Sequence, residues 1–158
     1  MAQRVNIQQT HPEAYKTVRR LAAVVARSNL SPIQRHLIKI RASQINSCTF
    51  CIDMHTKEAL KDGETDQRIF LLSAWRETEI FTEEEKALLA LTEEVTLIHQ
   101  RGVSEKTYQR ASRFFSPEAI GDIIMEAIVM NALNRIAVST QLDKQVKLSQ
   151  REIMDDAV

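Results

Sequence analysis

The chain has few residues that break or staple a fold: three glycines, three prolines and two cysteines in 158 residues. So few breakers leave no low-complexity linker and no internal repeat, and no stretch alternates apolar and polar residues like an amphipathic strand. Two cysteines are too few for a secreted disulfide scaffold. A pair spaced three apart in a reducing compartment points instead to redox chemistry or metal binding. No run of about 18 apolar residues is present, so no transmembrane helix is expected. The N-terminal segment has neither an apolar stretch nor a small-residue cleavage site, which excludes a signal peptide and makes the cytoplasm the expected location. An excess of one charge is also missing, with 21 basic and 21 acidic residues. Nucleic acid and anionic membrane surfaces need a basic excess, so neither is an expected partner despite the local Arg19-Arg20 pair.

What remains is a helix-rich pattern. The length suits one domain with a real core, and 44% apolar with 27% charged residues is ordinary for a globular protein. Thr10-x-x-Glu13 with Pro12 reads as a capping box, followed by Tyr15, Val18, Ala22 and Val25 on one face. Ser31-Pro32 opens a second helix whose apolar side is Ile33, Leu37, Ile40 and Ile45. A third runs from about Cys48 to Leu60 and ends at a glycine cap, Gly63. A short helix spans Arg68 to Trp75. Thr82-x-x-Glu85 starts a long one that Gly102 ends. Ser104 to Phe114 forms another short helix, and Ser116-Pro117-Glu118 opens a last long one to about Val138. The prediction is a single all-α domain over 1–158: an N-terminal helix in 1–30, a core in 31–140, and a tail in 141–158. That tail ends in Asp155-Asp156 and is either frayed or an arm for a neighbouring subunit.

The segment with chemistry in it runs from Ser43 to His55. At about 100° per residue, Cys51 lies about 60° and His55 about 20° from Cys48 on the helical wheel. The three side chains share one stripe, and Cys51 and His55 have the i,i+4 spacing for direct contact. With Asn46 or Ser47 as N-cap, Cys48 falls in the first turn, where free N–H groups and the macrodipole favour a thiolate. A Cys-X-X-Cys at a helix start typically has at least one depressed thiol pKa, and a neighbouring His lowers it further or takes the proton. Such a thiolate attacks peroxide to give a sulfenic acid, which a second thiol converts to a disulfide. Two other readings of the same spacing stay open: part of a zinc site with two Cys and one His as ligands, or two buried, inert cysteines.

Leu37 to Asn46, the Cys-X-X-Cys and Asp53-Met54-His55 together resemble the core motif of AhpD-like alkylhydroperoxidases, in the carboxymuconolactone decarboxylase-like superfamily. The likeness continues through Gly63-Glu64, Trp75-Arg76-Glu77, Phe81 to Leu88 and Asn131 to Arg135, covering roughly residues 30 to 140. It implies an all-α bundle of about six to eight helices, usually assembled as trimers or hexamers. It also implies hydroperoxide reduction coupled to disulfide formation. By the resemblance Cys51 is the peroxidatic cysteine, Cys48 resolves it and meets the reductant, and His55 relays the proton. The implied reductant is a dithiol of the dihydrolipoyl type; no metal, flavin or nucleotide cofactor is implied. One position departs from the family pattern. His36 stands twelve residues before Cys48, where the family has a Glu of the proton relay. A histidine also relays protons, with an ordinary pKa of about 6.5, so His36 is expected near the Cys/His stripe. Alternatives are a redox-responsive binding protein using the same pair, or a carboxymuconolactone decarboxylase-like enzyme; that last chemistry has no need of paired thiols.

Other residues read as structural. Trp75 is expected as a core or interface anchor. Glu83, Glu84 and Glu85 form an acidic first turn that complements the dipole. Glu93 is expected on a solvated face, the alternative being that it faces the site and replaces the missing Glu. Asn131, Asn134 and Arg135 are expected to hydrogen-bond between helices or subunits. His11 and His99 read as surface residues, and Tyr108, Phe114 and Phe115 as core.

Overall fold

The structure is a computed structural model that describes residues 4–142. The expected tail beyond Leu142 lies outside the described residues. Helix starts follow the chain's Ser and Thr residues, whose hydroxyls accept the first free N–H groups. After a single turn, α1 (Ile7–Thr10), comes α2 (Pro12–Val25). Then follow α3 (Pro32–Ile45), capped by Ser31 in a full capping box, and α4 (Thr49–Lys61). Thr65 caps α5 (Asp66–Leu71), which continues into a 3-10 turn at Leu72–Glu77. Thr82 with Glu85 forms a second capping box before α6 (Glu83–Thr96). The single turn α7 (Ile98–Arg101), the Ser104-capped α8 (Glu105–Ser112) and the Ser116-capped α9 (Pro117–Thr140) complete the described residues, which contain no strand. The all-α expectation is met.

The N-terminal capping box is not formed. Thr10 closes α1 instead, its hydroxyl donating to the Asn6 carbonyl, and His11 caps α2 without a side-chain bond. The helix expected to run unbroken to Gly102 breaks at Leu97, whose φ/ψ of −98°/32° leaves the helical region.

α3 lies at the centre, packed against α4, α6, α9 and the 3-10 turn. That is why Ile38, which lies off the expected apolar stripe, is as fully buried as Ile40. A helix covered on several sides cannot keep one polar face. α6 and α9 add Leu88, Leu89, Leu91, Ile120 and Ile123 to the core, with Trp75 and Phe81 beside them. Each such side chain contributes about 1.5–3 kcal/mol of burial free energy. α9 is long and apolar enough to cross a membrane by length and composition alone. Here it packs against α2, α3, α4, α6 and α8 and carries the buried polar residues Glu126 and Asn134. Of the three expected core aromatics only Phe115 is buried; Tyr108 and Phe114 are exposed. α8 is a short amphipathic helix that turns Ala111, not Tyr108, to the core.

Candidate redox site

The sequence between α3 and α4 turns the chain so that two cysteines come together. Asn46 ends α3, and Ser47 follows in the left-handed region at φ 54°. The Cys48 N–H then donates back to the Ser43 carbonyl and the Ser47 N–H to the Gln44 carbonyl, at 3.0 and 3.1 Å. This is a Schellman ending with serine where glycine is usual. It makes Cys48 itself the N-cap of α4, later than the expected Asn46 or Ser47, so the helix starts at Thr49 and Cys48 stands just before its first turn. Asn46 also donates to the side chains of Asn131 and Asn134 on α9, and Asn134 donates to the Ser43 hydroxyl. Asn131, Asn134 and Ser43 thus clamp the turn to α9, as hydrogen bonds between helices.

Cys48 and Cys51 are joined as a disulfide, with Cα atoms 5.3 Å apart, within the usual range for such a bond. Both are buried, packed with Ala42, Met130 and Ala137. One turn further along α4, His55 is 6% exposed. Its Nδ1 donates to Glu58 Oε2 at 2.8 Å, and its Nε2 is buried with no hydrogen-bond partner. Glu58 therefore holds the proton on Nδ1 and leaves a lone pair on Nε2. Burial, reinforced by Lys39 and His36 and opposed by Glu58, pushes the His55 pKa below its ordinary value. The neutral ring, the form that accepts a proton, is favoured.

His36 on α3 repeats the arrangement. Its Nε2 donates to Asp62 Oδ2 at 2.7 Å, and its buried Nδ1 has no partner. Exposed carboxylates thus cover the outer side of both imidazoles. His36, Glu58 and Asp62 line a surface cleft of about 270 Å³ with Arg35, Lys39 and Lys61. Among the described residues no cluster of three or more His, Cys, Asp or Glu side chains is arranged to hold a metal ion.

Two buried carboxylates flank α3. Glu93 of α6 is not on a solvated face: it accepts from Trp75 Nε1 at 2.8 Å, from Arg41 Nε at 2.7 Å and from Arg76. Burial alone would raise its pKa, yet the three donors outweigh burial and lower it. Only the assembled helices could show this, because Trp75 and Arg41 come from distant segments. Glu126 of α9, which the sequence reading passed over, is 3% exposed and has only a long ion pair with Lys39, 3.7 Å. Burial raises its pKa against the pull of Lys39, Arg35 and His36. An acidic residue on the buried face of an apolar helix was the available signal.

The match to known proteins follows the same segment. Residues 12–94 match the model of the carboxymuconolactone decarboxylase family. An uncharacterized protein of Bacillus subtilis, YdfG, is 40% identical over 139 residues, 88% of this chain and 95% of its own length. A crystal structure of a protein of unknown function from Agrobacterium tumefaciens, considered for antioxidant defence as an AhpD, is also 40% identical. It superposes with a TM-score of 0.88, covering 94% of this chain and all of that one. An uncharacterized peroxidase-related protein from Silicibacter shares the fold at 20% identity, with a TM-score of 0.72 over 83% of this chain and 70% of its own.

Proposed function

The chain belongs to the carboxymuconolactone decarboxylase family, in the AhpD-like superfamily, and on that premise we propose that it is a thiol peroxidase working through Cys51, Cys48 and His55. The observation that carries this reading is the pairing of a bonded Cys48–Cys51 with a histidine on the same helix whose Nε2 is left without a partner. In the reduced protein His55 Nε2 takes the Cys51 proton. The thiolate sulfur attacks the nearer peroxide oxygen, the O–O bond breaks, and the leaving alkoxide recovers the proton: Cys51–SH and ROOH give Cys51–SOH and ROH. The Cys48 thiol then displaces water from the sulfenic acid to form the disulfide. An external dithiol, of the dihydrolipoyl kind in this proposal, returns the pair to two thiols and is itself oxidised to a disulfide. His36 takes part as a second proton carrier. A cytoplasmic location and a homo-oligomer, trimer or hexamer, belong to the same proposal.

One observation favours a second reading. Cys48 is fully buried in the disulfide form, and a reductant must displace part of the α3–α4 turn to meet it. A redox-responsive protein that is oxidised once and then binds differently fits that burial.

Thiol counting and intact mass separate the readings. Reduced wild type given one equivalent of cumene hydroperoxide is expected to lose both thiols and about two daltons. Cys48→Ser is expected to trap a sulfenic acid at Cys51, and Cys51→Ser to stay unoxidised. Repeated turnover with dihydrolipoamide supports the peroxidase; a single oxidation without turnover supports the responsive protein. Unreactive thiols in folded protein overturn both.

A further inference from the structure

Glu126 has no part in the chemistry above, yet it sits in a costly position. Its carboxyl is nine-tenths or more buried, its Oε2 has no hydrogen-bond partner, and Lys39 is 3.7 Å from Oε1. A buried carboxylate with so little support is normally replaced by an apolar residue or neutralised by a proton. The charged groups acting most strongly on it are Lys39, Arg35 and His36, all from α3. Those acting on His55 are Glu58, on its own helix α4, and again Lys39 and His36. Lys39 is thus the ion-pair partner of Glu126 and, with His36, lines the cleft that Glu58, the hydrogen-bond partner of His55, also lines. The His36 Nδ1 is buried and unpartnered as well, so an acceptor on α3 and a carboxyl oxygen on α9 are both left without a hydrogen bond.

We propose that Glu126 is a positioning residue of the redox site: a proton-holding carboxyl that acts through His36 and Lys39 on His55, and through His55 on the Cys51 thiol. When Glu126 carries its proton, Lys39 is uncompensated and disfavours a second positive charge on His55. When Glu126 is ionised, Lys39 is compensated and His55 accepts the thiol proton more readily. No electrons move in this step. The Glu126 proton leaves to solvent, the carboxylate then compensates the Lys39 ammonium, and the thiol proton is held at His55. This rests on the reading of Cys51 and His55 as the reacting pair, but not on peroxide as the oxidant.

The test therefore reads thiol reactivity instead of turnover. In reduced Cys48→Ser protein, the rate of Cys51 alkylation by iodoacetamide is followed by intact mass from pH 5 to 9, with Glu126 wild type, Glu126→Gln or Glu126→Asp. Glu126→Gln is expected to lose one ionisation from the profile and to change the rate by about threefold or more somewhere in that range, equivalent to roughly half a pKa unit. Glu126→Asp is expected to keep the ionisation at a displaced pH. His36→Gln added to Glu126→Gln is expected to change the profile less than the sum of the single effects, since the two act in series. Profiles that superimpose within threefold, or effects of Glu126 and His36 that simply add, overturn the proposal. Should Glu126→Gln not fold, Glu126→Asp and His36→Gln carry the same comparison. Wild type that ignores peroxide but keeps a Glu126-dependent profile sinks the peroxidase reading alone; peroxide turnover with superimposed profiles sinks this inference alone.

Discussion

Glu93 and Glu126 are buried to a similar extent on two sides of α3, and they have opposite environments. Glu93 receives donors from Trp75, Arg41 and Arg76 and ties α3, the 3-10 turn and α6 together. Glu126 has a long ion pair and one orphaned oxygen. Burial costs each carboxylate free energy; three charge-assisted or buried hydrogen bonds repay it in one case and little repays it in the other. The fully satisfied acid is a structural anchor. The under-satisfied one lies on the α3–α4–α9 side, where the paired cysteines, His36 and His55 also lie, and where unpaired polar atoms concentrate.

The largest effect expected from this contrast is on stability. Glu93→Ala leaves the Trp75 and Arg41 donors buried without an acceptor and is expected to cost about 3–5 kcal/mol in urea unfolding. Glu126→Gln is expected to stay within about 1 kcal/mol of wild type or to exceed it, since no charge need be buried. Equal losses in both variants would erase the distinction.

The next effect is kinetic. His55→Gln removes the proton acceptor and is expected to slow peroxide oxidation of the Cys51 thiol about 100-fold at pH 7, read by stopped-flow loss of thiols.

The pH dependence of stability carries opposite signs for the two carboxylates. Glu93 has a lowered folded pKa, so its contribution is present above the ordinary carboxylate value and is lost as pH falls through the folded value. His55, also lowered, costs stability as pH falls below about 6.5, where the unfolded chain takes up the proton first. Glu126 is raised: its contribution is present below the ordinary carboxylate value and lost as pH rises through the raised one. The gain of Glu126→Gln over wild type is therefore expected to grow from pH 4 to pH 7, while Glu93→Gln flattens the acid limb of the unfolding profile. A pH-independent difference between Glu126→Gln and wild type would contradict the assignment.

The smallest effect concerns the turn. α3 and α4 end alike, but Gly63 holds the left-handed position after α4 and Ser47 holds it after α3. Ser47→Gly is expected to raise stability by about 1 kcal/mol in thermal or urea unfolding; no gain would mean the Ser47 side chain offsets its backbone cost.

Much of the fold was legible locally. Ser31-Pro32, Thr82-x-x-Glu85, Ser116-Pro117 and Gly63 mark helix ends because capping uses residues within three or four positions of one another. The four-residue spacing of Cys51 and His55 was legible for the same reason, since both stand on α4, whereas Cys48 is its N-cap and is brought to Cys51 by the turn. The Thr10 capping box misled because α1 takes Thr10 as its own last residue, and Leu97 breaks a periodic apolar run that continues past it.

Sequence alone determined that the chain is helical, where most helices begin, and that a thiol and a histidine stand four residues apart on one helix with a second thiol at its start. Those are consequences of spacing along one segment. Tertiary structure decided which acids are paid for by donors and which are left short, and that Asn46 is clamped to Asn131 and Asn134 on α9. It also decided that His36 meets Asp62 beneath a shared cleft. Burial and hydrogen bonding between segments 26 to 88 residues apart depend on how helices pack, and no local pattern encodes that.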